Sequence, residues 1–132
     1  MNDTPNVGKF ETSLVGEIPV IEVSGDIDVS NVDVLETNLV DATQRDAGVV
    51  VVSLRRASYF DSRTIHVLYR FADRLETNRQ RMVLVAPEDE SAKRILQITG
   101  LSSAVEQFGS LDEALERGAD IVRRRNNGNY DG

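Results

Sequence analysis

The stretch VVVVSLRRASYFDSRT, residues 49–64, carries the strongest structural signal in the chain. Its β-branched opening, residues 49–54, is typical of a strand that is buried on both faces of a sheet. Residues 55–61 show neither strand nor helix periodicity and are expected to form a connection. Asp61-Ser62 then opens a helix predicted over residues 62–77, whose apolar positions lie on one stripe: Ile65, Leu68, Phe71, Ala72 and Leu75.

On the amino-terminal side of this stretch, residues 10–28 predict two strands. Gly16-Glu17 lies between them and indicates a hairpin connection. The segment Ser24-Gly25-Asp26-Ile27-Asp28 interrupts the pattern and is expected to be a turn. A helix follows, for which Ser30 is the expected N-cap.

On the carboxyl-terminal side, strands and helices continue to alternate. Residues 81–86 predict a strand, and residues 91–99 predict a helix stopped by Gly100. Residues 104–108 predict a short strand, and Ser110 caps a final helix. This order predicts an α/β fold, with a mixed sheet of about five strands and helices packed mainly on one face.

The length of 132 residues suits one domain. We expect residues 1–9 to be an N-terminal extension, residues 10–122 to be the folded domain and residues 123–132 to be a disordered tail. The first residues lack the apolar core of a signal peptide, and the longest apolar run is far shorter than a membrane span. A cytoplasmic protein is therefore expected.

The composition excludes several classes of site. The chain has no cysteine, which rules out disulfides, cysteine-based zinc sites and thiol catalysis. His66 is the single histidine, so metal sites built on histidine pairs are excluded as well. The net charge of -7 argues against nucleic-acid binding, which usually leaves a basic footprint. We expect no metal and no cofactor.

The charge is unevenly distributed along the chain. Residues 1–48 carry ten acidic and two basic side chains, whereas residues 49–85 carry three acidic and seven basic ones. Two interpretations follow for this basic segment. Its arginines are ordinary solvated residues, or they form a surface that receives an acidic partner or a phosphate.

Asp61-Ser62 is the most suggestive pair in the sequence. As an isolated feature it is a helix cap, and a helix N-terminus is also a favourable place for a phosphate. A hydrolase using Ser62 and His66 is disfavoured, because Asp61 is poorly placed to orient the histidine. Asp26 and Asp28 are a further carboxylate pair, but as residues of a turn they make weak candidates for magnesium.

Several segments, in order, resemble the STAS domains of anti-sigma factor antagonists and sulfate transporters. The central motif is the strand at residues 50–54 followed by Tyr59-Phe60-Asp61-Ser62. Agreement extends to the turn at residues 24–28, the helix end at residues 95–101 and the last helix start at residues 110–115. The resemblance covers roughly residues 10–118 and implies the same α/β fold.

The resemblance also implies a function. Bacterial members of the family bind an anti-sigma factor of the ATP-binding kinase type, and this binding frees a sigma factor. The same kinase turns the family member off by phosphorylating one of its serines. By position that serine is Ser62, and the chain would be a regulatory protein rather than an enzyme. The expected partner-binding residues are those of the Asp28 turn and of the segment around Ser62: Asp28, Tyr59, Phe60, Asp61, Arg63 and Thr64. Helical spacing from Ser62 adds His66, Tyr69 and Arg70 on the exposed face of the helix.

Three residues depart from the family pattern. Arg63 and Thr64 replace the Ser/Thr-Gly that usually follows the acceptor serine, and Ser53 replaces an aspartate in the central strand. A β-branched threonine does not permit the close backbone approach of a glycine. These departures support an alternative: a non-switching STAS scaffold that assembles with other STAS proteins or serves a transporter complex.

Overall fold

The valine run lies in the third strand of a five-stranded sheet, in a computed structural model that describes residues 7–128. The strands are β1 (Lys9–Val15), β2 (Ile18–Ile27), β3 (Val49–Phe60), β4 (Arg81–Val85) and β5 (Glu106–Phe108). The helices are α1 (Val32–Gln44), α2 (Ser62–Thr77), α3 (Glu90–Thr99), α4 (Leu101–Ala104) and α5 (Leu111–Asn126). The strands are ordered as in the sequence; β1 and β2 form an antiparallel hairpin and the other neighbours are parallel. The predicted α/β class and mixed sheet are confirmed.

Strand β3 is buried on both faces, as its composition predicts. Val50 and Val52 belong to the larger core, formed with α1, α2 and α3. Val49 and Val51 belong to a smaller core on the opposite face, which α5 covers through Ala114 and its neighbours. Most of the described helices therefore pack on one face. None of the helices in this part of the chain is long and apolar enough to cross a membrane.

The connection predicted for residues 55–61 is wrong, because β3 continues to Phe60. Strand β2 likewise includes residues 24–27, which the sequence pattern places in a turn. The β2–β3 register shifts between Glu22 and Ser24 and again between Gly25 and Asp26. Such irregularities break the two-residue alternation by which a strand is recognised.

The carboxyl ends of β2 and β3 bring two loops together. The parallel pairing extends to Ile27 and Phe60, so Asp28 and Asp61 leave the sheet at the same edge. The amide of Asp61 donates a hydrogen bond to the carbonyl of Ile27, 3.2 Å away. Side chains from these two loops therefore share one surface.

Two further boundaries differ from the expectation. The strand predicted at residues 104–108 is shorter, because residues 101–104 form α4. The extension predicted for residues 1–9 contacts the sheet at its end, since Lys9 starts β1 and Val7 bridges to Asp26. Residues 1–6 lie outside the described part of the chain.

The tail predicted from residue 123 is helical as far as Asn126. Arg125 donates hydrogen bonds to the carbonyl of Asp46 at 2.8 Å and to its carboxylate at 2.7 Å. This contact fixes the last turn of α5 against the α1–β3 connection. Residues 129–132 of the predicted tail lie outside the described residues.

Candidate functional site

Asp61 caps helix α2, as the sequence predicts. Its Oδ1 accepts hydrogen bonds from the amide and the hydroxyl of Thr64, each at 2.9 Å. Ser62 is the first residue of the helix and is exposed. Its hydroxyl therefore lies at the positive end of the helix dipole, where free backbone N–H groups favour negative charge.

Phe60 and Thr64 lie beneath the surface. Their exposed fractions are 2% and 1%, whereas the other residues predicted to contact a partner are half-buried or exposed. The Thr64 hydroxyl also lies 3.2 Å from the carbonyl of Ile27, where it can donate. Thr64 therefore ties the start of α2 to the end of β2.

The Asp28 turn is held by short hydrogen bonds. Asp28 Oδ1 accepts from the amide of Ser30 at 2.9 Å and from its hydroxyl at 2.6 Å. The hydrogen bond from the Ser30 side chain, followed by that from its backbone, lowers the pKa of the Asp28 carboxyl. Ser30 is therefore not the N-cap of α1; Asn31 occupies that position, without a side-chain capping bond.

Asn31 and Gly8 are positioning residues that the sequence pattern does not reveal. Asn31 accepts a hydrogen bond from the amide of Asp28 and donates one to the carbonyl of Asp26, both at 3.0 Å. A methyl group on Gly8 would lie 2.6 Å from that same carbonyl and from Asn31 Nδ2. The segment before β1 thus packs directly against the Asp28 turn. The sequence signal for this close packing is a glycine directly before a strand.

Two ion pairs join the exposed face of α2 to α1. Arg63 Nη2 lies 3.9 Å from Asp33 Oδ1, and Arg70 forms a closer pair with Glu36. Both arginines remain about half exposed. The predicted site residues Arg63 and Arg70 therefore lie on an accessible surface, and each is paired with an acidic side chain of α1.

The remaining predicted residues lie around this surface at different depths. Tyr59 is 47% exposed at the end of β3, and His66 is exposed one helical turn after Ser62. Tyr69 is half-buried, and its hydroxyl donates to the carbonyl of Thr99 at 3.0 Å. Tyr69 therefore links α2 to the end of α3 as well as bordering the exposed face.

A family model for the STAS domain matches residues 9–114. The chain belongs to the STAS domain family. Solved structures share its fold, including an anti-sigma factor antagonist from Mycobacterium paratuberculosis, with a TM-score of 0.78 and 20% identity over 88% of this chain and 97% of that one.

Two further solved structures illustrate the range of the fold. SpoIIAA, the Bacillus cell fate determinant in its phosphorylated form, has a TM-score of 0.65 and 22% identity, over 83% of this chain and 98% of that one. A sulfate transporter family protein from Wolinella succinogenes has a TM-score of 0.71 and 18% identity, over 84% and 92%. At these identities the likeness establishes the fold. A comparison with curated protein sequences finds no match.

Ser53, one of the departures from the STAS pattern, is buried within β3, seven residues before the strand ends. Its hydroxyl donates to Glu22 Oε2 at 2.7 Å, and Arg55 Nη2 lies 3.7 Å from the same oxygen. Ser53 thus links β3 to β2 through a side-chain hydrogen bond. The substitution belongs to the interior of the STAS sheet and not to the loop edge that carries Ser62.

Several arginines of the basic segment, residues 49–85, form ion pairs with acidic side chains elsewhere in the STAS domain. Arg55, Arg63 and Arg70 each pair with an acidic side chain from the first 48 residues. Arg81 pairs with Glu106 of β5. The charge contrast along the sequence therefore reflects pairing between elements more than a free cationic surface.

The geometry also weakens the two other chemical interpretations. The Asp61 carboxylate accepts from Thr64, so it is engaged in capping rather than in orienting His66. Asp26 lies within β2 while Asp28 binds Ser30, and among residues 7–128 no three acidic or histidine side chains converge as metal ligands do. The carboxylates of Asp28 and Asp61 are therefore both engaged in contacts within the fold.

Proposed function

We propose that the chain is an anti-sigma factor antagonist that binds an anti-sigma factor of the ATP-binding kinase type. The observation that carries the proposal is the position of Ser62: exposed, first in α2, directly after the capping Asp61 and at the same sheet edge as Asp28. STAS membership and the fold shared with anti-sigma factor antagonists support it.

The proposed contact area, here named the Ser62 surface, consists of exposed or half-buried residues from both loops and from α2. Exposed apolar Val29, with 72% of its surface accessible, lies beside it in the Asp28 turn. Apolar side chains ringed by charged ones are typical of protein interfaces. The Ser62 surface comprises Asp28, Tyr59, Ser62, Arg63, His66, Tyr69 and Arg70.

Phosphorylation of Ser62 is proposed as the off switch. A phosphoryl group adds a charge of about -1.5 to -2 at neutral pH. The helix N-terminus tolerates this charge within the free chain. At a desolvated interface, the same charge would cost much of the binding energy unless the partner supplied a cation. In this scheme the chain is a kinase substrate and a binding partner rather than an enzyme.

The experiment is to incubate the full-length chain with ATP and its anti-sigma kinase and to locate the phosphate by mass spectrometry. We expect one phosphate on Ser62 and none on the Ser62→Ala variant. Ser110→Ala is the control at another helix N-terminus, since Ser110 is the N-cap of α5, and it should be phosphorylated on Ser62 like the chain without a substitution. Phosphate on another residue, or none, would contradict the proposed switch.

A second candidate function is a non-switching STAS scaffold, assembled with other STAS proteins or with a transporter. The observation that favours it is Arg63, a cation beside the acceptor position that is already paired with Asp33. The fold shared with a sulfate transporter family protein is consistent with it. Affinity purification distinguishes the two, because recovery of STAS or transporter proteins without a kinase-type anti-sigma factor supports the scaffold.

A further inference from the structure

Arg63 is the residue next to Ser62, and its present partner is weakly held. Its guanidinium extends from α2 to α1, where Nη2 lies 3.9 Å from Asp33 Oδ1. The two side chains are 52% and 82% exposed. Ion pairs this exposed contribute little free energy, because water screens the charges and the side chains lose conformational freedom. Arg63 can therefore change partners at small cost.

A phosphate on Ser62 would be the stronger partner. It carries about twice the charge of a carboxylate and three acceptor oxygens, which match the fork of N–H donors on a guanidinium. Consecutive helical side chains do not face each other, so the contact depends on the length of the arginine. Ser62 is the first helical residue, and no preceding helical turn restricts its side chain.

We propose that Arg63 is the internal counter-ion of phosphorylated Ser62 and that it exchanges Asp33 for the phosphate when Ser62 is modified. The inference rests on the proposed function, since it concerns the modified state of Ser62. The exchange has two consequences. The phosphate is partly neutralised within the chain, and Asp33 on α1 is released from its contact with α2.

The other charges near Ser62 do not account for such an effect. Asp28 and Asp61 are acidic and already accept hydrogen bonds from Ser30 and Thr64. His66 is present in every variant compared below, so its contribution cancels. Arg70 lies eight residues along α2 from Ser62, about 12 Å at the helical rise, and is paired with Glu36.

The test measures the second pKa of the phosphate by phosphorus NMR, in full-length chain with phosphoserine installed at position 62 by genetic-code expansion. A cation at about 5 Å in water lowers that pKa by about 0.3 to 0.6, depending on salt. We therefore expect Arg63→Gln to raise the pKa by this amount at low ionic strength. The matched control Arg70→Gln removes the same charge from the same helix and should raise it by less than about 0.2.

A double-mutant cycle identifies the exchange itself. Asp33→Asn removes both a nearby negative charge and the competitor for Arg63. Asp33→Asn should therefore lower the phosphate pKa more in the phosphorylated chain that keeps Arg63 than in the one that carries Arg63→Gln. In the Arg63→Gln background only the through-space effect of the Asp33 charge is lost. Equal shifts in the two backgrounds, or an Arg63→Gln shift no larger than that of Arg70→Gln, would overturn the proposal.

These outcomes are separable from those that test the proposed function. Phosphoserine is introduced without a kinase, so the NMR measurement gives an answer whether or not an anti-sigma kinase modifies Ser62. A kinase that leaves Ser62 unmodified contradicts the switch, while a pKa indifferent to Arg63 contradicts only the counter-ion role.

Discussion

Thr64 offers a direct test of how the start of α2 is built, because its buried side chain lies between the cap of α2 and the end of β2. Its buried hydroxyl lies within hydrogen-bond distance of the Asp61 carboxylate and the Ile27 carbonyl. Thr64→Val keeps the branched shape of the side chain and replaces the hydroxyl with a methyl group. The substitution therefore isolates the polar contribution of this residue.

The expected cost follows from what each acceptor retains. The Asp61 carboxylate keeps the amide of Thr64, and the Ile27 carbonyl keeps the amide of Asp61. Neither acceptor is left without a donor, so the loss is that of one buried hydrogen bond to a charged group, about 1.5 to 3 kcal/mol. For a domain of this length, that corresponds to a decrease in Tm of about 5 to 11 °C.

The assay is urea-induced unfolding of Thr64→Val, compared with Thr77→Val as the matched control. Thr77 lies in the same helix and is exposed, with its hydroxyl bonded to the carbonyl of Asp73. The control should change the free energy of unfolding by less than about 0.5 kcal/mol. If Thr64→Val were no more destabilising than Thr77→Val, at an unchanged m-value, the assignment of Thr64 as a tie between α2 and β2 would be refuted.

Three further predictions concern other parts of the fold. The hydrogen bond from Arg117 lowers the pKa of Glu106 below its ordinary value of 4.5, so the stability that Glu106 contributes is present above pH 4.5 and is lost as the pH falls through the lowered value. In urea unfolding measured between pH 7 and pH 3, Glu106→Gln should be less stable than the chain without the substitution, by under about 1 kcal/mol, and only at the higher pH. A difference in stability that does not change with pH would contradict the ion pair. Gly100 ends α3 with φ +83°, so Gly100→Ala should destabilise by about 1 kcal/mol and lower Tm by about 3 °C, and an unchanged Tm would exclude this left-handed cap. Arg125→Ala removes the contact with Asp46 and should speed amide hydrogen exchange in residues 123–126, and exchange already fast in the unmodified chain would contradict the helical end.

The regular elements could be predicted from sequence because their signals are local. The valine run identifies β3, and the apolar stripe with its preceding aspartate identifies α2 and its cap. Ser110 and Gly100 mark a helix start and a helix end by the same local chemistry. In each of these cases the decisive interactions join residues that are near one another in the chain.

The errors arise where distant contacts or register shifts decide the structure. The end of β3 escaped prediction because irregular pairing with β2 breaks the alternation, and the same irregularity hides the burial of Phe60. The Thr64 hydroxyl lies within hydrogen-bond distance of a carbonyl 37 residues away, and the last turn of α5 is held by Asp46, 79 residues away. No local pattern in the sequence encodes such contacts.

We have proposed that the Ser62 surface binds an anti-sigma factor of the ATP-binding kinase type and that phosphate on Ser62 prevents this binding. The most direct measurement is isothermal titration calorimetry of that anti-sigma factor with the full-length chain, unmodified or carrying phosphoserine at position 62. We expect the unmodified chain to bind and the phosphorylated chain to have an affinity at least about tenfold weaker, a difference of about 1.4 kcal/mol. Equal affinities of the two forms, or no binding by either, would contradict this proposal.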